Sequence, residues 1–285
     1  MKQNLDFLME QRNLDAAVVA GHTYGNPSLI YMLNGADVTQ GIVVKKRGAE
    51  PVFVHSPIER DEAKASGLRL VNQAQYDYVG ILREKGDPLA ATVELYRRIF
   101  ADLGVSGNVG FYGQADRGQA YRFLCALEEA LPDIHVQGEF EQNLFETARA
   151  TKDAQEVAQI REVARLTGEV IEATTDFLRR QRVQDEMLVD DDGAALTIGA
   201  VKEQINRLLA ERRLEDSEGA IFAIGRDAGV PHSRGRASDP IRLGQTIVYD
   251  IFPRRPGGYF FDCTRTFCLG YAPPEIEKVY RDVAE

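Results

Sequence analysis

Two aspartates, Asp250 and Asp262, stand in the stretch QTIVYDIFPRRPGGYFFDCTRTFCLG (245–270), and their setting is the part of the chain best suited to chemistry. Thr246 to Phe252 and Tyr259 to Leu269 are rich in apolar, β-branched and aromatic residues, with turn-forming Pro253 to Gly258 between them. That pattern predicts a β-hairpin. A turn centred on Pro256 sets Asp250 directly opposite Asp262, with Cβ atoms about 4.5–5.5 Å apart. Strand alternation puts Val248, Asp250 and Phe252 on one face, and Phe260, Asp262, Thr264 and Thr266 on one face of the second strand. The acids are then expected among apolar neighbours, where an unpaired charge is costly. Like charges so placed need a shared proton or a cation. Arg265 alternates to the other face, and Arg254 and Arg255 read as solvated turn residues. Two readings stay open on spacing alone: a divalent cation held by both acids, or a structural ion pair with a nearby arginine.

His232 lies upstream, in the polar, glycine-rich stretch GRDAGVPHSRG (225–235). A lone loop histidine is ordinarily a solvated side chain. However, this stretch followed by LGQTIVYDIFPRRPGGYFFDCTRTF (243–267) closely resembles the pita-bread metallopeptidases. These are the Xaa-Pro aminopeptidases and prolidases, with methionine aminopeptidases and creatinase as relatives. In that family a His precedes an Asp-bearing strand, and a Gly-Tyr-x-x-Asp-x-Thr-Arg-Thr run follows. Here the matching residues are His232, Asp250, Gly258, Tyr259, Asp262, Thr264, Arg265 and Thr266. The resemblance spans essentially the whole chain and is closer from about Thr151 onward. One departure is Phe252, where the family often has Gly.

The resemblance implies metal-dependent hydrolysis of Xaa-Pro peptide bonds, of the aminopeptidase P or prolidase type. It implies a small peptide substrate with proline at the second position. Asp250 would chelate one of two divalent cations (manganese, cobalt or zinc), and Asp262 would bridge both, with a water activated between them. His232 would contact the substrate near the scissile bond or assist proton transfer. The family completes this site with a His and two Glu from a second half-domain, and no His follows His232 in this sequence. The 285-residue chain is therefore expected to hold two of five ligands, to carry only the first part of the catalytic domain, and to be inactive by itself. A rival reading is a metal-free relative, either a creatinase-like C–N hydrolase or a peptide- or protein-binding module; such relatives typically lack the paired acids. Nucleophilic catalysis by Ser233 or Cys263 with His232 as base is disfavoured. Ser233 is the immediate neighbour of His232, and Cys263 alternates away from the Asp face.

The elements that must position these residues form two expected domains. Residues 1–148 alternate strands and helices: a helix over 2–12, strands at 15–20, 28–33, 41–45, 51–55 and 68–71, and a helix starting at Ser56-Pro57. A helix over 88–103, a strand at 108–112, a helix over 117–131 and a strand at 134–136 follow. This is an α/β domain, and the resemblance makes it a creatinase-type N-terminal domain, a mixed sheet with helices. Thr147 to Asp153 reads as the junction. Residues 152–285 are expected to be an incomplete α+β pita-bread domain. It has a long helix over 154–179, an acidic connection over 184–192, a helix capped by Thr197 running to about 213, and a strand at 219–224 before the His232 loop. Asp190-Asp191-Asp192-Gly193 lacks the spaced ligands of a calcium loop.

The composition narrows the class further. With 44% hydrophobic and 27% charged residues it suits a globular protein with a sizeable core. A net charge of −10 argues against nucleic acid as partner. No apolar run approaches the roughly 20 residues that cross a bilayer, and the amphipathic N-terminus does not read as a signal peptide, so a cytoplasmic protein is expected. Cys125, Cys263 and Cys268 are expected as free thiols. Family relatives are often homodimers, which the resemblance extends to this chain as an expectation.

Overall fold

A computed structural model describes residues 4–284 and separates into two compact units, one ending at Asp153 and the other beginning at Ala154. The first unit runs α1 (Leu5–Gln11), β1 (Ala16–His22), α2 (Pro27–Met32), β2 (Gln40–Lys46), β3 (Val52–His55) and β4 (Arg69–Asn72). It continues with α3 (Tyr78–Lys85), α4 (Pro88–Leu103), β5 (Gly107–Gly113), α5 (Arg117–Ala130), β6 (Ile134–Gln137) and α6 (Leu144–Ala150). Its six strands form a mixed sheet in the order β4-β3-β2-β1-β5-β6, with β2 antiparallel to both neighbours and the other pairs parallel. Alternation along β1 feeds two cores. Ala16 and Val18 pack with α4 residues such as Tyr96 and Ile99, whereas Ala17 and Val19 pack with α1, α2 and α6 through Leu5, Leu29 and Phe145.

Several expectations change here for identifiable reasons. Residues 27–32 are helical, not a strand. Pro27 occupies the first turn and the Asn26 side chain accepts from Leu29 N at 3.1 Å, so capping chemistry overrides the apolar run. Pro57–Glu59 is only a short 3₁₀ turn, and the Ser56 side chain caps nothing. Residues 144–150 form α6, started by a reciprocal Asn143–Glu146 capping box, so part of the expected junction is helix. His55 is buried, and its Nδ1 donates to the Ser56 carbonyl at 2.8 Å, a structural role.

The second unit opens with α7 (Ala154–Arg180), β7 (Arg182–Gln184), β8 (Met187–Val189) and α8 (Ile198–Glu211). β9 (Ile221–Ile224), β10 (Thr246–Ile251), β11 (Cys263–Cys268) and α9 (Pro274–Ala284) complete it. The expected acidic loop is a tight hairpin, because Asp185 and Glu186 adopt positive φ (50° and 61°) at its two-residue turn. The Thr197 side chain caps α8 by accepting from Ala200 N. The sheet order is β11-β10-β9, antiparallel throughout, so β10 is central. One apolar core unites Val163, Val170 and Leu178 of α7, Val201 and Ile205 of α8, and Phe222, Ile247, Tyr249 and Ile251 of the sheet. Among the described residues, no helix is long and apolar enough to cross a membrane.

Candidate functional site

The site is built by the β10–β11 hairpin. Ile247, Tyr249 and Ile251 are fully buried in the core, which leaves Val248 and Asp250 on the opposite, half-exposed face. The turn runs Arg255 to Gly258. Gly258 N donates to the Arg255 carbonyl at 2.8 Å, with Pro256 at the second position and Gly257 left-handed (φ 65°) at the third. That is the residue order a type II turn requires. Tyr259 adds one residue before pairing resumes at the Arg254–Phe260 bridge, and Phe261 N donates to the Pro253 carbonyl at 3.0 Å.

The extra residue changes the register. The hairpin is centred on Gly257, not Pro256, so Asp250 lies opposite Thr264 rather than Asp262. A shift of two keeps every side chain on its face. Asp262 therefore remains on the Asp250 face, one residue before the first paired residue of β11, Cys263. The carboxyls still meet. Partial burial, then the Asp250 charge, then a hydrogen bond with Asp250 hold the Asp262 carboxyl above the usual carboxylate range. Thr264 Oγ1 donates to Asp250 Oδ1 at 2.7 Å.

The surroundings differ from the apolar pocket expected. Asp262 is exposed and Asp250 half-buried, because the apolar alternates of β10 turn the other way, into the core. The turn arginines are not simply solvated. Arg254 Nε pairs with Glu215 Oε1 at 2.7 Å and its guanidinium lies 5.0 Å from the Phe260 ring centroid. Arg255 reaches Glu162 of α7 at 3.6 Å and donates to the Arg212 carbonyl at 3.3 Å. Arg265 donates to the Thr264 carbonyl at 2.8 Å. All three arginines are engaged elsewhere, so the structural-ion-pair reading of the aspartates loses its partners. Tyr259 OH donates to Glu156 near the start of α7, which ties the end of the turn to that helix.

His232 is exposed in the loop between β9 and β10. Ser233 N donates to the Val230 carbonyl at 3.0 Å across a turn with Pro231 second and His232 third, at φ 60°. A non-glycine residue held left-handed stores local strain of a kind found at functional positions. No hydrogen bond joins His232 to either aspartate among the described residues. Cys263 faces the Tyr249 side, and all three cysteines are free.

As a ligand set, two carboxylates pressed together on an open face suit a hard divalent cation. Among the described residues no group of three or more His, Cys, Asp or Glu is placed to hold a metal ion, and the acids brought together here number two. The acid pair also has a consequence for stability. The Asp262 carboxyl titrates above its ordinary 3.8 in the folded state. The proton it holds therefore stabilises the fold below that ordinary value, and this contribution is lost as pH rises through the folded-state value. Asp262→Asn is expected to raise the Tm at neutral pH, with the gain vanishing once the parent acid is protonated. Thermal melts of both proteins across that range check it; a gain that grows on acidification would contradict it.

Residues 158–285 match metallopeptidase family M24. No curated protein matches the chain. Among solved structures, the chain is similar to an Xaa-Pro dipeptidase from Bacillus anthracis (18% identity, TM-score 0.70), covering 99% of this chain and 68% of that one. It is similar to a prolidase from Pyrococcus horikoshii OT3 (15%, TM-score 0.64, 99% and 68% covered). A third likeness is to an X-Pro aminopeptidase from Thermotoga maritima MSB8 (16%, TM-score 0.65, 100% and 69% covered). At these identities the likeness concerns the fold.

Proposed function

We propose that the chain, whose residues 158–285 match metallopeptidase family M24, serves metal-dependent hydrolysis of Xaa-Pro peptide bonds. The observation that carries the proposal is the meeting of Asp250 and Asp262 on the open face of the hairpin, with the nearby arginines engaged elsewhere. In this reading the two carboxylates hold divalent cations (manganese, cobalt or zinc), and the substrate is a small peptide with proline at the second position. When bound, such cations supply Lewis-acid activation of a water and of the scissile carbonyl. The chain's own residues orient and select. Asp250 presents acceptor oxygens from a strand anchored in the core and Asp262 from the segment just before β11, and His232 contacts the peptide or moves a proton near the scissile bond.

The 285-residue chain offers two carboxylates at this site. Two ligands repay little of a cation's dehydration, so the chain alone is expected to bind Mn²⁺ weakly and to show no measurable turnover. The test assays Ala-Pro hydrolysis with added Mn²⁺, Co²⁺ or Zn²⁺ by the protein purified from its natural source and by the 285-residue chain. Metal-dependent cleavage by the natural protein is expected. If that protein leaves Ala-Pro intact with all three ions, the peptidase reading is wrong; if the 285-residue chain turns over substrate by itself, the two-ligand account is wrong.

A further inference from the structure

Thr264 is the direct cross-strand partner of Asp250, and its hydroxyl donates to Asp250 Oδ1 at 2.7 Å. We propose that Thr264 is a positioning residue that fixes the Asp250 carboxylate in the orientation used for cation binding; this rests on reading the acid pair as a cation site. An ionised carboxylate only accepts, so the Thr264 hydroxyl must be the donor. The distance is that of a charge-assisted hydrogen bond. Thr is β-branched and stiff about χ1, and the ladder holds its Cβ close to that of Asp250. The donor is therefore fixed in place before any ligand arrives. It occupies one lone-pair direction of Oδ1 and stops rotation of the carboxylate, leaving the remaining acceptor directions for Asp262's side of the site. The three arginines of the hairpin are engaged elsewhere: Arg254 and Arg255 pair with Glu215 and Glu162, and Arg265 donates to a backbone carbonyl.

Thr264 is exposed, so its substitutions leave the core untouched. Two replacements separate positioning from strand-forming. Thr264→Val keeps the branching and loses the donor, whereas Thr264→Ser keeps the donor and loses the branching. A residue present only for its β-propensity would tolerate Val better than Ser. Positioning requires the reverse order.

The experiment uses the 285-residue chain and two readouts. Mn²⁺ affinity is followed by electron paramagnetic resonance, and the Asp250 χ1 distribution by three-bond couplings in metal-free, isotope-labelled protein. Thr264→Val is expected to weaken Mn²⁺ binding by about tenfold or more, the usual effect of removing a residue that orients a ligand, and to average χ1 of Asp250 over several rotamers. Thr264→Ser is expected to retain the parent's affinity and a single rotamer. Unchanged Mn²⁺ affinity together with one unaltered Asp250 rotamer in Thr264→Val overturns the proposal. If the parent shows no Mn²⁺ binding that depends on Asp262, the cation reading of the pair fails instead, and the metal-free couplings still decide whether Thr264 holds Asp250.

Discussion

Replacing Tyr249 with alanine should cost the second unit about 3–5 kcal/mol, the range for removing a large buried aromatic side chain. Tyr249 is completely buried, lies 5.5 Å centroid to centroid from Phe222, and sits on the central strand immediately before Asp250. Domains are stable by only about 5–15 kcal/mol in total, so the loss would leave a substantial unfolded fraction. Tyr249→Phe keeps the ring. Its hydroxyl contact, Thr174 Oγ1 at 3.5 Å, is at the outer limit of a hydrogen bond, so the cost should stay within about 1 kcal/mol. Urea denaturation of the three proteins checks both values. Equal stability of the parent and the alanine variant would show that the hairpin is not anchored through this residue.

The second large effect is a split between the aspartates and His232. In whatever form of the protein hydrolyses Ala-Pro, Asp262→Ala should reduce metal affinity by about 100-fold or more, beyond the 10- to 100-fold typical of losing a residue that merely supports a ligand. Turnover should disappear with the metal. His232→Ala should lower turnover by about 10²- to 10⁴-fold, the usual range for a proton-transfer group, at unchanged metal content. Metal analysis beside single-substrate kinetics distinguishes the two. Equal metal loss in both variants would reassign His232 as a ligand.

The hairpin was legible because three signals coincide there: β-branched runs, Pro-Gly-Gly turn chemistry and two acids on one alternation phase. Its register was not legible, because the placement of the type II turn at Arg255–Gly258 and the extra Tyr259 after it together move the hairpin centre from Pro256 to Gly257, and so every cross-strand partner by two positions. The choice of buried face was also misread. Val248 and Phe252 are as apolar as Ile247 and Ile251, and only the packing of α7 and α8 decides which set is covered. In the first unit, α4 is clear from its amphipathic period and flanking Asp87-Pro88, and its observed bounds are the expected 88–103. By contrast, α2 was hidden because Leu29, Ile30 and Tyr31 suit either a helix or a strand until the Asn26 cap decides. Thr264 went unremarked as an orienting group, since its role depends on the register.

The placement of the two acids on different strands gives them unequal fates in the native ensemble. Asp250 belongs to β10, hydrogen-bonded on both sides, while Asp262 precedes β11, the outermost strand of the described sheet. Local opening is drawn from such peripheral segments, at a fraction of the free energy of global unfolding. Fraying of β11 would part the carboxyls and return Asp262 to solvent while the core around Tyr249 stays closed. Amide hydrogens of Cys263 to Phe267 that pair with β10 should therefore exchange faster than those linking β10 to β9. A cation that bridges the acids would slow that exchange without altering β9, so the site's occupancy would be written in the kinetics of a single strand.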